Sequence, residues 1–592
     1  MYGDFLVETL ETDVAVVGGG LAGCMAAISA ANRGVSVVIL EKANTRRSGC
    51  AGSGIDHLWS YIPPVHEKMG WTLEDLVEDH AKIIAEDFLR RDLLRLIAAN
   101  MYELVLKLEG FGLRFRFPDS RAPGNFRIVY QFHSVPSSFN FEGRNIKPVL
   151  TAEAQKRGVK IVNRVMALEL LKEGDRVCGV VGVSTREEKV YLVKAKSVIL
   201  ATSGRISRLS RSFLGANFNR RLPPSGTTGD GKIMAFKAGA ELINMEFFGD
   251  RHTTFLNYTM AGGAPKNTLQ PCARVVRADG TVVIPRMSAY DWDRLGKLPD
   301  LPENLRSAMA ERRRVESRRL AEALGGAAPL YLDCAEGTAE EVAYVRWSMS
   351  NEGKMWILNR FLEENGVDLR RDKLEFGLGD LEMSGSSAAG VWVDADCQST
   401  VEGLLACGDE IGGVPWACGP GAIATGWRAG EVAAEQGARR RAQGRPEAAQ
   451  VEEVMARLRE LTGRSRGDAW IEVEYALQGI MAAAFRDRGG PVPVTSDALL
   501  AHALTRVEDL TASARMVAHS PHELMRCLEV QNLADCARLI LRAALERKES
   551  RRLLRKEDWP ERNDAEWFAF LGLTKGASSR EVRFRKIPLA GQ

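Results

Sequence analysis

Three glycines and one acid carry the first chemistry in this chain. Gly18, Gly20 and Gly23 give G-x-G-x-x-G, and Glu41 follows eighteen residues after Gly23. The first glycine permits a tight turn, the second lets a pyrophosphate approach the backbone, and the third lets helix and strand pack closely. A helix N-terminus behind them offers free N–H groups and a positive dipole end to the phosphates. An acid at this distance can accept hydrogen bonds from a ribose. The elements that must hold these residues are legible around them. The apolar run 14–17 predicts a buried strand, 21–32 a helix ended by Gly34, and 35–40 a second buried strand with Glu41-Lys42 at its end. This is a dinucleotide site. Its position near the N-terminus suits FAD, while the motif alone leaves NAD open.

Two later strands return to the same place. Residues 197–204 end in Ala201-Thr202-Ser203-Gly204, which would bring backbone next to a bound dinucleotide. Residues 403–410 repeat the pattern and deliver a carboxylate at Gly408-Asp409. Such late returns fit FAD flavoproteins and fit NAD dehydrogenases poorly. Between them, Ser48, Gly49, Gly52 and Gly54 make an irregular stretch that can pass close to a flat ligand. Residues 72–109 are helical by spacing, with Thr72 as cap and Asp75 behind it. The aromatic stretch 110–140 (Phe111, Phe115, Phe117, Phe126, Tyr130, Phe132) reads equally as core or pocket wall. Residues 146–157 read as helix and 158–200 as strands.

Bulk properties narrow the class. The 592 residues allow two to four domains, and 45% hydrophobic with 27% charged residues is an ordinary globular composition. A formal net charge of +3 gives no case for nucleic acid. The basic stretch 542–586 has interleaved acids and reads as a solvated face. No run of eighteen apolar residues exists, so no transmembrane segment is expected. The acidic N-terminus is unlike a signal or transit peptide, which predicts a cytoplasmic protein. The ten cysteines include no C-x-x-C, which argues against a cluster held by this chain. Cys24, Cys407, Cys527 and Cys536 sit in apolar segments and read as buried small hydrophobes. The eight histidines show no zinc-like spacing.

Several further segments resemble one family as a set. Thr228-Gly-Asp230-Gly231, Ala238-Gly239-Ala240 and Asn244-Met-Glu-Phe247 are similar to the TGDG, AG and MEF pieces of the succinate dehydrogenase and fumarate reductase flavoproteins. Arg47-Ser48-Gly49 with Gly54 and Tyr61, Pro329-Leu-Tyr-Leu-Asp333 and Gly390-Val-Trp-Val393 resemble the adenylylsulfate reductase branch still more. So does the tail: Glu549-Ser-Arg551, Arg555, Asp558, Pro560, Arg562, Asp564 and Trp567. The likeness covers most of the chain.

It implies an α/β fold with a Rossmann-like, discontinuous FAD-binding domain (1–246 plus 380–440), an inserted α+β capping domain (247–379) and a C-terminal helical domain (441–592). The spacing in 450–461, 470–485, 496–518 and 521–548 independently reads as helix. It implies a small-molecule substrate between flavin and cap, and electrons passed singly to a separate ferredoxin-like [4Fe-4S] subunit in a hetero-oligomer. Gly419-Pro420-Gly421-Ala422-Ile423 would open the helix at the flavin's pyrimidine end, where Pro suits the first helical turn. Candidate cofactor contacts are therefore Gly18, Gly20, Gly23, Glu41, Lys42, Ser48, Gly49, Gly54, Ala201, Thr202, Ser203, Asp230, Gly408, Asp409, Gly421, Ala422 and Ile423.

Departures from the family pattern shape the rest. Gly49 stands where succinate-type enzymes carry the histidine that tethers FAD, which implies non-covalent FAD. The stretch 383–390 lacks the family's substrate histidine, and the asparagine facing the flavin in adenylylsulfate reductases maps to Trp59. Arg274 and Arg277 lie near the missing arginine-rich loop but read as surface. Arg251 and His252 fall where the families place a substrate-contacting arginine or histidine, and His57 is a further candidate. Arginine binds anionic groups bidentately and histidine exchanges a proton near neutral pH. Catalytic candidates are thus Arg251, His252, His57 and Trp59. The expected activity is two-electron transfer between an unidentified small organic or anionic substrate and FAD. Two alternatives stay open: a stand-alone NAD(P)H-fed flavin reductase, and a non-catalytic FAD electron-transfer subunit.

Overall fold

A computed structural model describes residues 3–116, 126–129, 133, 135–209, 224–249, 253–255, 274–284, 330–353, 355–378, 382–383, 388–440, 444–486, 493–577 and 581–589. The central sheet has seven strands. Six run in the order Lys160–Asn163, Val37–Glu41, Leu6–Val17, Lys189–Leu200, Arg176–Ser184, Val165–Glu173, and Leu404–Ala406 pairs with Lys189–Leu200. The first four of these and Leu404–Ala406 run parallel; the other two form an antiparallel flap.

Register is what makes a site here. Val17 lies opposite Leu40 and Leu200, and Leu200 lies opposite Ala406. Four parallel strands therefore stop at one level. Beyond that level come the glycine loop, Glu41, Ala201–Ser203 and Cys407–Asp409. Ligands of open parallel sheets bind outside these carboxyl ends.

The helix Leu21–Ala31 has ten of its eleven residues buried, the mark of a helix covered on every side. One cover is the long helix Cys418–Arg439. A Cβ on Gly426 would stand 2.5 Å from the Ala22 carbonyl oxygen, and one on Gly430 would stand 2.2 Å from that of Ala26. Only glycine lets the two backbones meet this closely. The late helix is thereby fixed against the glycine-loop helix, with its N-terminus at the sheet's carboxyl edge.

A second sheet, ordered Thr253–Phe255, Leu374–Leu378, Leu330–Asp333, Arg274–Arg277, Val282–Ile284, carries the helices Ala339–Met349 and Met355–Glu364. It has its own apolar core, including Val275, Leu332, Val345, Met349 and Leu358. Arg274 lies on its strand with ion pairs to Asp333 and Glu336.

Helices Ala448–Thr462, Trp470–Ala484, Asp497–Ser513 and Pro521–Glu546 follow the expected spacing. Two details differ from the sequence reading. The helical pattern over 72–109 is broken into Leu73–Ala85 and Arg91–Gly110, with left-handed backbone at Glu86 and Asp87 (φ 50° and 62°). The chain also closes on a hairpin, Ala569–Lys575 with Val582–Pro588, whose first strand pairs with Leu242–Ile243. Phe115 and Phe126 belong to the core; Phe117, Tyr130 and Phe132 lie outside the described residues. No described helix is long and apolar enough to cross a membrane.

Candidate functional site

At the carboxyl edge of the sheet lies a cavity of about 550 Å³, within the usual range for small-molecule and cofactor pockets. One end is built by the glycine loop. Gly18 has φ 97°, and a Cβ there would stand 2.5 Å from the Ala201 carbonyl oxygen. A Cβ on Gly23 would stand 1.9 Å from the Gly18 oxygen, so this glycine shapes the turn from behind the wall. Glu41 accepts the Gly19 and Ala43 N–H groups, both at 2.6 Å, one on each carboxylate oxygen. Its remaining lone pairs are available to a ribose.

The loop's carbonyls are held away from the cavity by side chains remote in sequence. Fully buried Lys147 donates to the Gly19 and Gly20 oxygens at 2.6 and 3.1 Å, and Ser48 Oγ donates to Gly19 O at 3.0 Å. No glycine-loop motif points to Lys147, and the sequence reading missed it. Opposite stands Lys42, paired with Asp230 at 2.7 Å and Glu529 at 2.9 Å. Burial would lower the Lys42 pKa, but these two carboxylates outweigh it and raise it. Burial pushes Glu529 up, and Lys42, Arg208 and Arg526 more than reverse this, bringing it down to about 2.

Of the expected cofactor contacts, Gly18, Gly20, Glu41, Lys42, Ser48, Gly49, Gly54, Ala201, Thr202, Ser203, Asp230, Asp409 and Ala422 line this one cavity. Gly23, Gly408, Gly421 and Ile423 do not. Gly408 instead packs on the glycine-loop helix, where a Cβ would stand 2.7 Å from Ala22 Cβ. Ser203 has φ 80° and a buried Oγ with no hydrogen-bond partner among the described residues. Buried polar groups need partners. A glycine cradle, a ribose-facing acid and an orphaned hydroxyl fit FAD.

The other end has different chemistry. His57, Trp59, Glu352, Trp416, Cys418, Gly419 and Pro420 line it. Trp416 and Cys418 have left-handed backbone (φ 62° and 47°), a strained turn leading directly into the helix Cys418–Arg439. Its support is a buried chain: Ser137 Oγ to His133 Nδ1 at 2.6 Å, His133 Nε2 to His80 Nδ1 at 3.0 Å, and His80 Nε2 to the Pro415 oxygen at 3.4 Å. Burial pushes His80 down to about 4, so it stays neutral. Trp59 packs on both rings at centroid distances of 5.0 and 5.5 Å and donates from Nε1 to the Trp416 oxygen at 3.4 Å. The pairing of His80 with His133, 53 residues apart in sequence, was invisible to spacing.

His57 Nδ1 contacts Asp56 Oδ1. Burial lowers the His57 pKa, but the Asp56 carboxylate beside it more than compensates and raises it. Glu352 reaches this pair from the second sheet's side and accepts the Asp56 N–H at 2.9 Å. Arg251 and His252 lie outside the described residues.

This geometry fits a dinucleotide-binding protein, and comparison with known proteins gives its class and kinship. Residues 13–297 match the FAD binding domain family and residues 494–590 the fumarate reductase flavoprotein C-terminal family. The chain is 25% identical over 587 residues to a fumarate reductase (CoM/CoB) subunit of Methanothermobacter marburgensis, covering 94% of this chain and 95% of that one. Its fold matches adenylylsulfate reductase from Archaeoglobus fulgidus with a TM-score of 0.81 at 24% identity, over 99% of this chain and 97% of that one. It also matches E. coli quinol fumarate reductase, with a TM-score of 0.74 at 19% identity over 98% and 97% of the two chains. The chain therefore joins an FAD binding domain to a fumarate reductase flavoprotein C-terminal domain; it is an FAD-dependent oxidoreductase, similar over nearly its whole length to a fumarate reductase subunit and, in fold, to adenylylsulfate reductase.

Proposed function

We propose that this chain is the flavin subunit of a hetero-oligomer. It holds FAD non-covalently, exchanges two electrons with a small organic or anionic substrate, and trades electrons with a separate ferredoxin-like iron–sulfur subunit. The observation that carries this reading is the continuity of the cavity. One end has the glycine cradle, Glu41 and the orphaned Ser203 hydroxyl; the other has His57, Trp59 and Glu352. When bound, FAD supplies the two-electron chemistry, and the protein supplies orientation, charge and protons.

Gly18, Gly20, Glu41 and Ser203 would hold the cofactor. The N-terminus of the helix Cys418–Arg439 presents a positive dipole end to the cavity, which favours an anionic ring. His57, kept basic by Asp56, would offer a positive charge to an anionic group of the substrate. Trp59 and Trp416 would exclude water from that end, and residues 247–379 would act as a cap over it. Gly49, at the wall of the glycine-loop end, offers no side chain for a covalent tether. A relative that is itself named a subunit supports a hetero-oligomer.

The test is purification from the native source with intact mass, iron content and a visible spectrum. A flavin spectrum with stoichiometric iron in a small companion chain supports the proposal. An active, iron-free single chain bleached rapidly by NADH would replace it with the stand-alone reductase.

A further inference from the structure

Buried Asp56 and half-buried His57 and Glu352 are three titratable groups in one cluster at the seam between the two sheets' cores. Asp56 and His57 come from the strand-entry segment of residues 54–59. Glu352 comes from just beyond the helix Ala339–Met349, brought in by the Gly353 N–H, which donates to the Gly54 oxygen at 3.0 Å. The hydrogen bonds differ between the two acids. Asp56 meets His57 Nδ1 on one oxygen and the Ser348 hydroxyl on the other. Glu352 accepts the Asp56 backbone N–H and stands 3.9 Å from His57 Nδ1. Two carboxylates and one imidazolium would leave an uncompensated buried negative charge, which is costly. Asp56, with both partners, is the acid that stays ionised.

We propose that Glu352 holds an exchangeable proton in the cavity and is the acid that gives it to, or takes it from, a substrate bound beside His57. This rests on the redox reading of the cavity above. In the reducing direction the Glu352 O–H bond breaks, the proton joins the substrate, and the electron pair is the cofactor's. The carboxylate left behind faces the His57–Asp56 ion pair and regains a proton from solvent. The reverse direction runs the same transfer backwards.

Electrostatics agree with the geometry. Burial first, then the Asp56 charge, push Glu352 up to about 8, with His57 opposing. Asp56 is lowered against its own burial by His57. Among the described residues, Arg127 lies over the Trp347 ring at 4.3 Å and Arg144 over Trp356 at 4.5 Å.

The test is an infrared pH titration of the protonated-carboxyl band, together with the pH dependence of the bound flavin's midpoint potential. Wild type is expected to lose one such band with a midpoint near 8, and its potential–pH plot to bend at the same pH. Glu352→Gln should lack the band and give a straight plot, while Glu352→Asp should restore a titrating band at a shifted pH. A band unchanged by Glu352→Gln, or an unbent wild-type plot, would overturn the proposal. So would a stoichiometric divalent metal lost in His57→Ala, since the trio would then be a ligand set. The infrared signal is readable without flavin, so failure to bind FAD would sink the cofactor reading separately.

Discussion

Lys147 supplies the glycine loop with something the loop cannot make from its own residues. A turn that aims its N–H groups at phosphates points carbonyls the other way, and here a buried ammonium takes two of them and lies 2.9 Å from Cys24 Sγ. Hydrogen bonds to charged groups contribute roughly 1.5–3 kcal/mol. Lys147→Met is therefore expected to weaken FAD binding by about tenfold or more, measured by flavin fluorescence titration. Glu529 makes a different prediction. Its folded-state pKa is depressed, so its stabilisation is complete above the ordinary value of 4.5 and is lost as pH falls towards about 2. The gap in urea midpoint between wild type and Glu529→Gln should be widest near neutral pH. Over that acid window it should close.

At the scale of elements, the contact between the glycine-loop helix and Cys418–Arg439 has no room for a methyl group. Gly430→Ala would force a Cβ to 2.2 Å from the Ala26 oxygen, so the helices must separate. A loss of roughly 1–3 kcal/mol is expected, with weaker flavin retention because the late helix carries one end of the cavity. Gly479, inside Trp470–Ala484, is different, because a Cβ added there would meet nothing within 4 Å. Gly479→Ala should instead stabilise by about 0.5–1 kcal/mol, read by thermal melting.

The glycine loop and the four converging strand ends were legible because each announces itself locally, as an apolar run that breaks into glycine or polar residues, whereas the late helix was legible only through the family resemblance. The break at Glu86–Asp87 was not, since the apolar spacing continues across it and only backbone dihedrals reveal the turn. Nor was the closing hairpin: Ala569–Lys575 finds its partner at Leu242–Ile243, and no local signal names a partner so distant. Glu352 is a lone acid in a short loop, and becomes a site residue only when the seam sets it against His57.

Across the whole molecule, two of the family signature pieces prove to be one object. Glu246, of the Asn244–Phe247 piece, takes Arg547 Nε at 2.6 Å, and Glu549 of the tail signature takes Arg547 Nη1 at 2.9 Å and Arg551 Nε at 2.6 Å. Arg547 and both acids are fully buried, and the guanidinium lies 4.8 Å from the Phe247 ring centroid. This network fastens the C-terminal segment to the Asn244–Phe247 piece. Breaking a buried pair by removing one partner typically costs about 3–5 kcal/mol. Arg547→Met should lower the melting temperature and open the 569–588 hairpin to limited proteolysis.

One measurement bears most directly on the cavity as a non-covalent flavin site. The purified protein is precipitated with acid, and flavin in the supernatant and pellet is identified and counted. About one FAD per chain in the supernatant is the expected result, falling sharply in Lys147→Met. Flavin retained in the pellet, or a wild-type protein that carries and binds no FAD, would contradict it.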